Sequence, residues 1–178
     1  MKKQVSLLLI VLSVFFLTAA GYFLWERYTP ARLAFNLKNT PQTQSSLGPH
    51  QPTRLKISDI KVDLPIFPAK IRSGNWEATT QGVSYLASTP IPGEPGNSVI
   101  YGHDYLSLLG NLTKLGQGAS IQIVYADGSH RNFAVVSRLV VSPSQTEILN
   151  NTADTRLTIY TCTGFFDSQR LVLTAVPI

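Results

Sequence analysis

A chain of 178 residues has room for one domain of ordinary size plus an appendage, and a single cysteine excludes any disulfide within it. Its charged fraction of 14% is below the ~25% usual for globular chains, a deficit partly explained by an uncharged N-terminal run. The net charge of +5 is unevenly placed: up to Gln51 five Lys/Arg face one acid, whereas from Pro52 ten face nine, so the globular part lacks the basic footprint of a nucleic-acid binder.

Val5 to Trp25 carries no charge over 21 residues, about the length a spanning helix requires. Lys2 and Lys3 precede it, and Tyr22, Trp25 and Tyr28 gather at its far end. That pattern predicts a single-pass anchor in the cell membrane with a cytoplasmic N-terminus and an extracellular domain. Arg27 and Arg32 on the far side weaken the charge argument. A cleaved signal peptide is the competing reading. Its apolar core is usually ~7–15 residues long, and this run continues through Tyr22–Trp25 beyond the small pair Ala19–Ala20. The expected organisation is a tip and anchor over 1–28, a flexible linker over 29–53 and a β domain over 54–178. The linker is polar, rich in Pro, Gln, Thr and Ser, and without periodicity; His50 within it is expected to be solvated and without a role.

From Arg54 the pattern is one of strands. "RLKISDIKVDLPIF" alternates with a phase change at Ser58–Asp59, which predicts two short strands or a bulged pair. "NSVIYGH" is a compact apolar run after the turn-rich "TPIPGEPGN". "LSLLGNLTKLGQG" predicts a short, broken helix. Two apolar runs around Asp127–Gly128 predict a hairpin with His130 on its exposed shoulder. Ser144 and Glu147 stand at capping-box spacing, so one helical turn is expected there. "RLTIYTC" and "RLVLTAV" close the chain as two β-rich runs joined by "TGFFDSQ". Six to eight short strands without βαβ rhythm predict a closed or half-closed antiparallel barrel.

The chemistry-bearing residues stand at strand ends. If the last two runs pair as a hairpin, Cys162 ends one strand and Arg170 begins the next, within reach across the ~4.8 Å strand spacing. Taken alone, the two read more readily as core packing and a solvated strand start. His103 ends another apolar strand and runs directly into Asp104 and a new element, a poor position for core packing. A thiol, an imidazole and a guanidinium can perform acyl transfer through a thioester: a sulfur nucleophile, a proton carrier and a fixed cation for the oxyanion.

At these residues the sequence resembles the sortases. "LTIYTC" is similar to their Thr-Leu-x-Thr-Cys signature, with Thr158, Ile159, Thr161 and Cys162 in its places and Ile159 standing for the usual Leu. Arg170 falls on the following strand, where the pattern has an Arg. "PGEPGNSVIYGH" is similar to the segment leading to the family's His. The resemblance runs from Arg54 to the C-terminus.

It implies a closed eight-stranded sortase-type β-barrel with one or two short helices, preceded by the transmembrane helix. It also implies a membrane-anchored cysteine transpeptidase of Gram-positive-type cell surfaces. Such an enzyme cleaves an LPxT(G/A)-like sorting signal after Thr and passes the protein to an amine on a cell-wall precursor or a pilin. By the same resemblance Cys162 is the nucleophile, His103 the general acid and then base, and Arg170 the support of signal and oxyanion, with Thr161 lining the substrate site. Asp104, adjacent to His103 on a strand, points to the opposite face and is not expected to orient it. No cofactor is implied, and scattered acids make a calcium site unexpected. The absence of a pilin-type aromatic lid motif implies an open site. A short Val141–Thr155 wall over the signal's Leu-Pro resembles class D or E. An L,D-transpeptidase is disfavoured because Gly164, not Arg, stands two residues after Cys162. The non-catalytic alternative is an anchored β-module or an inactive relative of the family.

Overall fold

A computed structural model describes residues 2–27, 29–37, 50–72 and 74–178. Residues 38–49 of the expected linker lie outside them. The N-terminal run forms one helix, α1 (Lys2–Arg27), whose stretch Gln4–Trp25 is long and apolar enough to cross a membrane and packs into no core.

Among the described residues ten strands follow: β1 (Pro52–Ile57), β2 (Val62–Ala69), β3 (Ile71–Arg72), β4 (Asn75–Trp76), β5 (Val83–Leu86), β6 (Gly96–Tyr101), β7 (Ser120–Tyr125), β8 (His130–Val141), β9 (Thr155–Thr163) and β10 (Gln169–Pro177). Eight close into a barrel in the order β1-β2-β5-β6-β9-β10-β8-β7, and β3–β4 form a separate ribbon. The phase change at Ser58–Asp59 is a 3-10 turn, Ser58–Ile60, ended by Lys61 in the left-handed region. Asp127–Gly128 turns β7 into β8, and His130 is exposed beside it. His50 is exposed but pairs with Asp127 at 3.1 Å. The short helix expected in the leucine-rich stretch after His103 is a 3-10 helix at Gly110–Lys114.

Two expectations are corrected. The barrel is not purely antiparallel, since β2–β5 and β6–β9 pair in parallel. Parallel neighbours need a crossover. Here the first contains the β3–β4 ribbon and the second the whole β7–β8 hairpin, so neither shows a helical rhythm in sequence. At Ser144–Glu147 a helical turn does form, at Thr146–Leu149, but without a capping box: Gln145 precedes it and the Ser144 hydroxyl pairs with Ser142 at 2.6 Å.

The alternation of the strands sorts two apolar clusters. Leu55, Ile57, Ile100, Ile159, Leu171 and Leu173 point into the barrel with Phe133 and Leu109. Val99, Tyr101, Tyr160, Cys162 and Val172 point outward and form a second, covered cluster. The site lies on that outer face.

Candidate active site

Cys162 and Arg170 are directly opposed across β9 and β10. Parallel pairing of Tyr101 with Tyr160 puts His103 and Cys162 each two residues further on, so both project from the same face of adjacent strands. Stacking of the two tyrosine rings, 5.4 Å apart, marks that face. Gly102 fits between because a Cβ there would meet Val83 and Leu109 at 3.1 and 3.2 Å. The structure therefore brings Cys162, His103 and Arg170 together. All three are buried, and Cys162 is a free thiol.

The resemblance has Thr161 lining the substrate site. It alternates with Cys162 and points to the opposite face, where its hydroxyl donates to the Gly102 carbonyl at 2.7 Å. This bond holds β9 to the end of β6, just before His103. Its placement suits positioning the strand and leaves it away from the substrate face. The ring of Tyr105 stacks on His103 at 4.9 Å and 4°, and half-buried Asp104 acts on His103 through its charge.

The expected open site is also corrected. Residues 32–37, assigned to the linker by their sequence neighbourhood, lie as a strap across the outer face. The Cys162 thiol donates to the Arg32 carbonyl at 3.0 Å, Tyr160 Oη to the Leu33 carbonyl at 3.1 Å, and Arg170 Nη2 to the Ala34 carbonyl at 2.9 Å. The Asn36 amide donates to the Pro143 carbonyl. Leu33 and Phe35 are buried, 0% and 3% exposed, which decides that the strap is packed and not merely draped. Phe35 meets the edge of Tyr160 at 5.0 Å and lies beside Trp76 of β4 and the Arg170 guanidinium. The strap's sequence signal is the period-two spacing of Leu33, Phe35 and Leu37, hidden inside a polar stretch.

Arg170 also donates from Nη1 to the carbonyls of Asp167 and Gln169, while its buried Nε–H has no partner. The Nε–Nη2 edge thus holds one donor engaged by the strap and one left for another oxygen. An unmet buried donor costs about 1–3 kcal/mol, so that edge favours an incoming acceptor. The wall is fixed by Asn97, whose amide donates to the Ile148 and Asn150 carbonyls and accepts from Thr158. Gly164 at φ 80° supplies the left-handed turn between Cys162 and Arg170.

Burial sets the electrostatics. It pushes the Cys162 thiol up to about 12, against the opposing pull of Arg170. It pushes the His103 imidazole below its ordinary value. Burial thus favours the neutral form of both groups.

A family model described as "Sortase domain" matches residues 55–178. A search of curated proteins gives no match. Among solved structures, sortase C-1 from Actinomyces oris is similar at 26% identity and TM-score 0.65, over 89% of this chain and 98% of that one. A lid mutant of sortase A from Corynebacterium diphtheriae matches at 25% and 0.61, over 71% and 69%. The sortase D5 transpeptidase of Clostridium perfringens matches at 25% and 0.61, over 72% and 79%. These relatives span the A, C and D types, so the fold singles out none of them. A family model covering most of the chain, on a barrel with a strand-end Cys, His and Arg on one face, shows that this chain belongs to the sortase family of cysteine transpeptidases.

Proposed function

We propose that this sortase is anchored in the membrane by α1, cleaves an LPxT(G/A)-like sorting signal after Thr and passes the acyl group to an amine of a cell-wall precursor or a pilin. The observation that carries the reading is the shared face of Cys162, His103 and Arg170, with the buried Nε–H of Arg170 left without a partner. In the proposed reaction the Cys162 thiolate attacks the Thr carbonyl carbon, and Arg170 holds the resulting oxyanion. The C–N bond breaks, and protonated His103 gives its proton to the leaving amine. Neutral His103 then takes a proton from the incoming amine, which attacks the thioester. The C–S bond breaks, and the sulfur leaves as thiolate.

The strap fits this chemistry as a resting state. A neutral thiol and a neutral imidazole supply neither the nucleophile nor the acid. Burial is the leading cause of both shifts. When the strap leaves and water enters, the thiol falls and the imidazole rises, both toward the thiolate–imidazolium pair. The signal takes the place of Leu33 and Phe35 against Tyr160, Trp76 and Leu149.

The test is the full chain incubated with Leu-Pro-x-Thr-Gly and Leu-Pro-x-Thr-Ala peptides and small amine acceptors, followed by mass spectrometry. The expected products are peptides cut after Thr and joined to the amine. Arg170→Lys lowers turnover by about 10²-fold or more, because an ammonium cannot reproduce the two-donor edge. Full turnover in that variant removes Arg170 from the mechanism.

A further inference from the structure

The β9–β10 loop has exposed apolar side chains beside the catalytic face. Phe165 is 82% and Phe166 55% exposed, on a turn where Phe166 and Asp167 take φ of 49° and 55°. Non-glycine residues rarely adopt that region, so something must hold them there. Asp167 is held by Arg32 at 3.0 Å, and the Phe166 ring stacks on Phe23 of α1 at 5.2 Å and 24°. Leu106, three residues after His103, is also exposed.

Covalent length fixes where this mouth sits. The Cys162 sulfur touches the Arg32 carbonyl, and Arg32 is five residues from Arg27, the end of α1. Five residues span at most about 18 Å. With the strap seated, the sulfur therefore lies within that tether of the end of the apolar helix. Between the helix and the loop is a cleft of about 360 Å³ lined by Phe23, Leu24, Phe166, Arg32, Asp104 and Asp167, apolar on the helix side and charged on the barrel side. That graded lining matches the interface of a bilayer, where aromatic rings sit at headgroup depth.

We propose that the active-site mouth rests on the membrane, with Phe165 and Phe166 inserted in the interfacial layer of the bilayer beside the end of α1. The inference rests on α1 crossing the membrane and does not depend on the substrate. The opposite end of the barrel then faces away from the membrane. Val141 pairs with Arg170 at one end of β8 and His130 lies at the other, so the Asp127–Gly128 turn marks the distal end.

The experiment uses the full chain carrying Cys162→Ala, with a nitroxide attached through Phe165→Cys or, as a control, through Ser129→Cys at the distal turn. Both positions are exposed, so neither label disturbs packing. Each protein is reconstituted in phosphatidylcholine–phosphatidylglycerol vesicles and collected by flotation. Collision with oxygen, which enters lipid, is compared with collision by a nickel chelate, which does not. The expected result is a several-fold higher oxygen-to-nickel ratio at 165 than at 129. Equal ratios in protein that floats with the vesicles overturn the proposal and leave the anchor intact. Failure to float overturns the anchor reading, and the proposal with it. Retained folding by circular dichroism and a native-like exchange pattern in β9 verify each labelled protein.

Discussion

At Cys162 a single residue carries two opposed demands. A nucleophile needs a thiolate, yet burial raises this thiol to about 12 while the guanidinium groups of Arg170 and Arg32 pull it back. A raised acid pKa means that the folded, strapped state prefers the proton. The associated stability is present below the unfolded thiol value of ~8.5 and is lost as pH climbs toward 12. Iodoacetamide labelling of the wild-type chain should therefore be slow at neutral pH and keep rising beyond pH 10 without a plateau near 8.5. A plateau at or below 8.5 in the resting protein contradicts a thiol held neutral under the strap. The gathering of His103, Cys162 and Arg170 on one face was legible in the sequence because each stands at the end of an apolar run. The direction of Thr161 was not legible: membership of a motif does not say which way a side chain points, and in β9 its hydroxyl donates to the Gly102 carbonyl.

At the scale of elements the strap decides whether the groove is open. Leu33 and Phe35 belong to the outer cluster and contribute nothing to the barrel interior, so removing them should loosen the strap and spare the barrel. Truncating a buried Leu or Phe costs about 2–5 kcal/mol where the side chain is well packed. The double change Leu33→Ala with Phe35→Ala should raise the rate of Cys162 alkylation at pH 7.5 by more than about tenfold, with circular dichroism of the barrel unchanged. An unchanged labelling rate means the strap does not control access. This element escaped sequence reading because three alternating apolar residues are too short a signal beside a long polar tract. The two parallel pairings escaped for a related reason: their crossovers are a ribbon and a hairpin, which look like ordinary meander in a linear chain. By contrast, the Asp127–Gly128 hairpin and the β9–β10 pair were legible because both ends of each lie close in sequence.

For the whole molecule, eight strands close on an apolar interior, and closure frees the outer face of β6, β9 and β10 for chemistry. The barrel provides the rigidity. The ribbon residue Trp76, the Asn97-held wall and the strap build a groove on its surface. On the proposed anchoring, the tether from α1 to the strap ties the state of that groove to the membrane. On this account the molecule is an acylating machine whose covalent intermediate resides on one sulfur. The most direct measurement is to mix the full chain carrying Leu33→Ala and Phe35→Ala with a Leu-Pro-x-Thr-Gly peptide, quench in acid, and map the adduct by mass. The account predicts a thioester-linked acyl group on Cys162 that disappears on adding an amine and never forms in Cys162→Ala. A peptide cleaved equally well by the Cys162→Ala chain, with no adduct on the sulfur, contradicts it.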